Sequence, residues 1–220
     1  MSLCGSSALI RGAELPTGKL QRINLIRYKN NHMHEKKDFS HLLGTPGFSN
    51  QLLTDHFTLY EGYISNVNKI ADLSAEIEAG TPQYAELKRR FGWEWNGMRL
   101  HELYFGNITK EQALLSTESD ITKKLAERFG SVEAWEKDFR ATGAMRGIGW
   151  VVLAHDATEG RLFNVWVQEH DGGHLVGATP LLVMDVFEHA YIRDYGIKRA
   201  DYIETFMRSI DWNSVEKRLA

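Results

Sequence analysis

Between Leu52 and Ile70, the residues Leu52, Leu53, His56, Leu59, Tyr60, Tyr63, Ile64, Val67 and Ile70 recur at spacings of three and four. At 3.6 residues per turn this set forms one stripe along a long helix, and the stripe must be buried against a partner. The helix is predicted from Ser49 to Glu78, with Ser49 or Asn50 as its N-cap. Gly80-Thr81-Pro82 interrupts it. Gln83 to Asn107 then reads as a second helix with Leu87, Phe91, Trp95, Met98, His101, Leu103 and Tyr104 inward, weakened by Gly92 and Gly97. So short a break makes the pair an antiparallel hairpin.

Beyond Gly106 the pattern changes. Ile121 to Phe129 and Val132 to Met145 are short amphipathic helices. Three β-branched and aromatic runs follow, Gly149 to Ala154, Leu162 to Val167 and Leu181 to Phe187, and helix returns from Ala200. His155 to Gly160 reads as a hairpin turn between the first two runs. The expected class is α+β: a helical hairpin over residues 49–112, then an α/β domain with a three-stranded antiparallel sheet over residues 113–220. Residues 1–48 read as a basic, irregular arm, with Arg11, Lys19, Arg22, Arg27, Lys29, Lys36 and Lys37 against Glu14, Glu35 and Asp38.

Several function classes fall away. A net charge of −3 argues against nucleic-acid binding as the main task, and no apolar run reaches the roughly 18 residues of a membrane span. The one cysteine, Cys4, allows no intrachain disulfide and points to a reducing, cytoplasmic setting; no secretory signal pattern is evident.

Nine histidines direct attention to metal chemistry. Asp185 and His189 close an apolar strand four residues apart, so they could face one ion, or be a backbone-bonded Asp and a surface His. His56 and His101 lie on the apolar faces of the two long helices, as ligands or as hydrogen-bonded core residues. His32, His34, His41, His155 and His174 are expected to face solvent. Three imidazoles and a carboxylate without a thiolate suit iron or manganese, and zinc by affinity.

The run Ala178-Thr179-Pro180-Leu181-Leu182-Val183-Met184-Asp185-Val186-Phe187-Glu188-His189-Ala190-Tyr191, with Asp194-Tyr195 and Lys198 to Ile203, resembles the iron/manganese superoxide dismutase family. Gly147-Ile148-Gly149-Trp150 and His101-Glu102-Leu103-Tyr104-Phe105 are similar to two further stretches of that family. The resemblance runs from about Ser49 to the end. It implies an antioxidant oxidoreductase with one iron or manganese ion per chain, held by His56, His101, Asp185 and His189, acting on superoxide. It also implies a homodimer in which Glu188 reaches a ligand histidine of the other subunit, and a pocket lined by Trp150, Tyr104 and Tyr63. The alternative expectation is a metal-binding or structural dimer of the same fold with negligible activity.

The sequence departs from the family pattern at four places. Gapless matching puts Asp55, not His56, at the first ligand position, but Tyr63 lies about 20° from His56 around a helix and about 80° from Asp55. His56 is therefore expected, with one residue lost from a helical bulge. The positions that carry a glutamine in family members hold Gly97 and His170; His170 is expected either to fill the space beside Gly97 and bond the metal-bound solvent, a catalytic role shared with Tyr63, or to be a loop histidine facing water. Phe187 replaces a tryptophan and loses its indole donor. Tyr60 and Ile192 replace a histidine and tyrosine that pair across the family dimer. Arg199 is expected either on an anion-attracting rim or in a structural ion pair.

Overall fold

In the computed structural model, residues 33–111 and 114–219 are described. His32, Cys4 and the basic residues from Arg11 to Lys29 lie outside them. The first helices are α1 (Asn50–Glu76) and α2 (Pro82–Phe105), followed by α3 (Asp120–Phe129) and α4 (Val132–Gly143). Three strands come next, β1 (Gly149–Asp156), β2 (Arg161–Gln168) and β3 (Thr179–Asp185). The chain ends in α5 (Ile192–Tyr195), α6 (Arg199–Arg208) and α7 (Trp212–Leu219).

Local chemistry sets the helix ends. Ser49 and Thr81 accept the backbone N–H groups of Leu52 and Tyr84, and Pro82 opens α2 where its missing N–H costs nothing. Helix α1 is unbroken α-helix and buries Leu52, Leu53, His56, Tyr60, Ile64, Val67 and Ile70, while Leu59 and Tyr63 are half-buried. Helix α2 is covered mainly over its second half. Met98, His101 and Tyr104 are buried, but Leu87, Trp95 and Leu103 are only partly so and Phe91 is exposed. The inward face therefore holds for Met98, His101 and Tyr104, and for Trp95 and Leu103, which pack partly buried against the core, but not for Phe91. The reason is that β3 packs against the later turns of α2, where Leu100 and Phe105 also enter the core.

The sheet has the order β2-β1-β3 and is antiparallel throughout. Its central strand β1 is almost wholly buried. Gly149 opens β1 at φ 146°, where a Cβ would stand 2.0 Å from the Val167 carbonyl oxygen, so only glycine fits. The register pairs Trp150 directly with Asp185, which brings both side chains to one end of the sheet, facing the hairpin. His155 is not in a turn. Strand β1 runs on through it and buries it. The third strand stops at Asp185, and Phe187 leads into a 3-10 turn, Glu188–Ala190.

Before α1, residues 33–48 form irregular chain with one 3-10 turn, Ser40–Leu42, and place Phe39, Leu42 and Phe48 in the core. His34 is half-buried, edge-on to Trp95 with ring centroids 5.0 Å apart, rather than facing solvent.

Candidate metal centre

Four side chains from three parts of the chain meet where the hairpin abuts the sheet. His56 comes from α1, His101 from α2, Asp185 from the end of β3 and His189 from the turn after it. Their candidate donor atoms all lie within 4.8 Å of one another. Two donors on opposite sides of one ion, each at about 2.2 Å, would be ~4.4 Å apart, so the group is close to the span of a single ion. Asp185 Oδ2 is 3.1 Å from His56 Nε2, 3.1 Å from His189 Nε2 and 3.8 Å from His101 Nε2. Asp55, the other candidate on α1, points outward and pairs with Arg193.

His101 states the chemistry most clearly. Its Nδ1 lies 2.6 Å from the Gly97 carbonyl oxygen, which can only accept, so the proton sits on Nδ1. Nε2 therefore carries a bare lone pair. It is fully buried, has no hydrogen-bond partner among the described residues, and lies 3.8 Å from Oδ2 of Asp185. An orphaned acceptor beside an acceptor is costly unless a cation lies between them. Burial, chiefly, holds both His56 and His101 below the ordinary histidine range, so each imidazole is neutral. Burial alone would raise the Asp185 carboxyl, but His189 and His56 beside it outweigh this and hold it well below the usual carboxylate range. Asp185 Oδ1 accepts the Phe187 N–H at 2.8 Å, leaving Oδ2 free to turn inward. The Asp185 carbonyl accepts from Tyr202 at 2.6 Å, and the Tyr202 hydroxyl also meets that of Tyr104.

A second set of polar groups lies beside the first. The Trp150 indole donates to Nδ1 of His170 at 3.1 Å, and Nε2 of His170 lies 2.7 Å from the Tyr63 hydroxyl. His170 is fully buried, and its proton affinity is pulled down to about 4, mainly by burial. It reaches inward because the 168–172 loop is closed tightly. Gln168 and Gly172 exchange backbone hydrogen bonds, and Glu169 takes a left-handed φ of 52°. His174, exposed, braces the loop through the His170 carbonyl at 2.8 Å.

The space beside Gly97 is filled differently from the expectation. A Cβ on Gly97 would stand 2.5 Å from the Tyr63 ring, so Tyr63 occupies that space and His170 bonds its far end. Phe187 is more than a wall. It stacks against His170 at 4.8 Å and against His189 at 5.1 Å, filling the gap between them. Trp150 meets His101 edge-on at 4.9 Å, and Tyr104 lies 5.2 Å from His56. Glu188 and Ile192 are exposed. Among the described residues Arg199 forms no ion pair; it bonds the carbonyls of Met145 and Gly147 and the Tyr191 hydroxyl, tying the start of β1 to the turn after β3.

Sequence reasoning assigned no role to Tyr202 or Trp93. Trp93 packs edge-on to His170 at 4.7 Å, beneath the Arg90 guanidinium. Helical spacing could have found it, because Trp93 lies one turn before Gly97 and two before His101 on the same stripe.

A family profile described as "Iron/manganese superoxide dismutases, C-terminal domain" matches residues 117–218. The manganese superoxide dismutase 2 of Haloferax volcanii is 36% identical over 176 residues, 79% of this chain and 87% of that protein. The iron superoxide dismutase of Cupriavidus metallidurans is also 36% identical, over 79% of this chain and 89% of its own. That of Aquifex pyrophilus is 34% identical, over 85% and 91%. With more than a third of positions shared across nearly the whole length of such relatives, and its helical hairpin packed on a three-stranded sheet, the chain belongs to the iron/manganese superoxide dismutase family.

Proposed function

We propose that this chain is a superoxide dismutase that binds one iron or manganese ion through His56, His101, Asp185 and His189, and converts two superoxide anions and two protons into dioxygen and hydrogen peroxide. The observation that carries this reading is the buried Nε2 of His101, unpartnered among the described residues and 3.8 Å from a carboxylate oxygen. When bound, the ion supplies a one-electron couple that accepts an electron from one superoxide and returns it to the next.

The protein's residues do the rest. Three imidazole lone pairs and one carboxylate oxygen form a donor set without sulfur, which accepts either metal. The carboxylate offsets part of the ion's charge in a site from which water is largely excluded. Trp150 fixes His170, and His170 fixes the half-buried Tyr63, whose hydroxyl proton is left free for an acceptor. Phe187 and Trp150 hold His170 and His101 in place by packing.

The homodimer belongs to the same proposal. His189 keeps 28% of its side chain exposed, and the neighbouring Glu188 and Ile192 are also exposed, a surface that a second copy would cover. Glu188 of the partner subunit would then lie near the His189 imidazole. The division into an arm (1–48), a hairpin (49–112) and an α/β domain (113–220) is proposed as well, supported at its second boundary by a profile match that begins at residue 117. Among the described residues no helix is long and apolar enough to cross a membrane. A cytoplasmic site is proposed on the single cysteine.

Metal analysis with a superoxide-scavenging assay tests the reading. Protein refolded with Fe(II) or Mn(II) is expected to hold close to one ion per chain and to scavenge superoxide. Retention below about 0.2 ion per chain would reject the metal site. Full loading without activity would support the metal-binding dimer instead.

A further inference from the structure

Glu102 is a buried carboxylate that the mechanism leaves unused, one residue beyond His101. Three donors converge on its two oxygens. Tyr60, one turn after His56 on α1, donates to Oε1 at 3.1 Å, while Lys37 and Arg99 reach Oε2 at 2.9 and 2.7 Å. The Lys37 backbone N–H donates to the Tyr60 hydroxyl at 3.2 Å. Burial alone would raise the Glu102 carboxyl, but Lys37 and Arg99 outweigh it and keep it ionised.

This network does not stand alone. The segment that carries Lys37 crosses the seam between α1 and α2. His34 exchanges two hydrogen bonds with Asn68 of α1 and packs on Trp95 of α2, and Lys36 pairs with Glu61 of α1. Phe39 of the same segment meets Tyr60 and Phe105, and Phe105 in turn meets His56 at 4.9 Å. Tyr60 lies nearly parallel to His101, with centroids 6.4 Å apart.

Resting on the proposed metal site, we infer that residues 34–39 and Glu102 act as a clamp that positions His56 and His101 relative to each other. Glu102 is the positioning residue at its centre. Side chains about 6 Å from a helix axis move ~1 Å when the helix turns by some 10°, enough to spoil a metal geometry. Tyr60 and Glu102 are bonded to each other beside the two imidazoles, so the clamp resists that rotation in both helices. A carboxylate is required because an amide oxygen offers one acceptor atom where three donors converge on two.

The test compares wild type with Glu102→Gln, Tyr60→Phe and Lys37→Met, using Mn(II) affinity from chelator competition, the visible and electron-paramagnetic spectra of the Fe(III) form, and thermal melts. Lys37 is more than half exposed, so its variant keeps the fold if the buried changes do not. Mn(II) affinity is expected to fall about tenfold, with a changed Fe(III) spectrum per bound ion. Combining Tyr60→Phe with Glu102→Gln should cost little more than either alone. Variants that melt lower yet bind Mn(II) as wild type does, with unchanged spectra, would make the network purely structural and overturn the clamp. Failure of wild type to bind either metal would instead overturn the site reading, and the clamp with it.

Discussion

The indole N–H of Trp150 lies 3.1 Å from Nδ1 of His170, and this contact sets where the His170 proton resides. An indole can only donate, so Nδ1 is the acceptor and the neutral ring carries its proton on Nε2, facing the Tyr63 oxygen at 2.7 Å. His170 thus spends its one N–H on Tyr63, and the Tyr63 proton is free for another acceptor. Nitrogen-15 NMR of labelled protein is expected to show His170 as the Nε2–H tautomer. Trp150→Phe should mix the tautomers, whereas a wild-type His170 protonated on Nδ1 would contradict the assignment.

Gly97→Ala sets two effects against each other. Alanine gains about 1 kcal/mol of helix propensity over glycine. Its Cβ, however, would stand 2.5 Å from the Tyr63 ring. Overpacking of that kind costs about 1–3 kcal/mol, and a lost Tyr63–His170 hydrogen bond adds about 1. The substitution should therefore destabilise the protein, measured by urea unfolding, and lower dismutase activity roughly 10–100-fold.

Asp185→Asn removes the charge that faces three imidazoles. Wild-type apoprotein given Mn(II) at a hundred times its dissociation constant should gain about 2.7 kcal/mol, which for a chain of this size is roughly 5–10 °C in melting temperature. The variant should show almost none of this gain and no measurable dismutase activity. Calorimetry with and without Mn(II) checks both arms.

His155 contributes to the pH dependence away from the candidate metal site. It is buried on β1 with Nε2 unpartnered among the described residues; burial, then Lys124 from α3, lowers its proton affinity, and Asp156 on its own strand offsets part of this. Below a pH of about 6.5 the unfolded chain takes up a proton at this residue that the folded chain refuses. Acidification therefore draws the equilibrium toward the unfolded state, and the cost vanishes above that pH. Unfolding free energies at pH 7.5 and 5.0 should differ less in His155→Gln than in wild type.

Much of this molecule was legible along the chain. Helical periodicity located α1 and α2 to within a few residues, since a stripe repeated over many turns leaves little choice of period. β-branched runs located the strands. Where neighbours rather than local pattern decide burial, the reading failed: Phe91 sits on a stripe that the sheet never reaches, and His155 lies on a strand that continues past its expected turn.

Period, caps and turn residues along the chain fix which elements form and which donor groups they carry. Packing of the hairpin on the sheet is what seats Tyr63 in the space at Gly97, stacks Phe187 between two imidazoles, and lets Glu102 tie the leading segment to both helices. The reason is physical. Periodicity and capping act within a few residues, whereas these contacts join side chains distant in the chain, and their distances exist only once the hairpin has packed on the sheet.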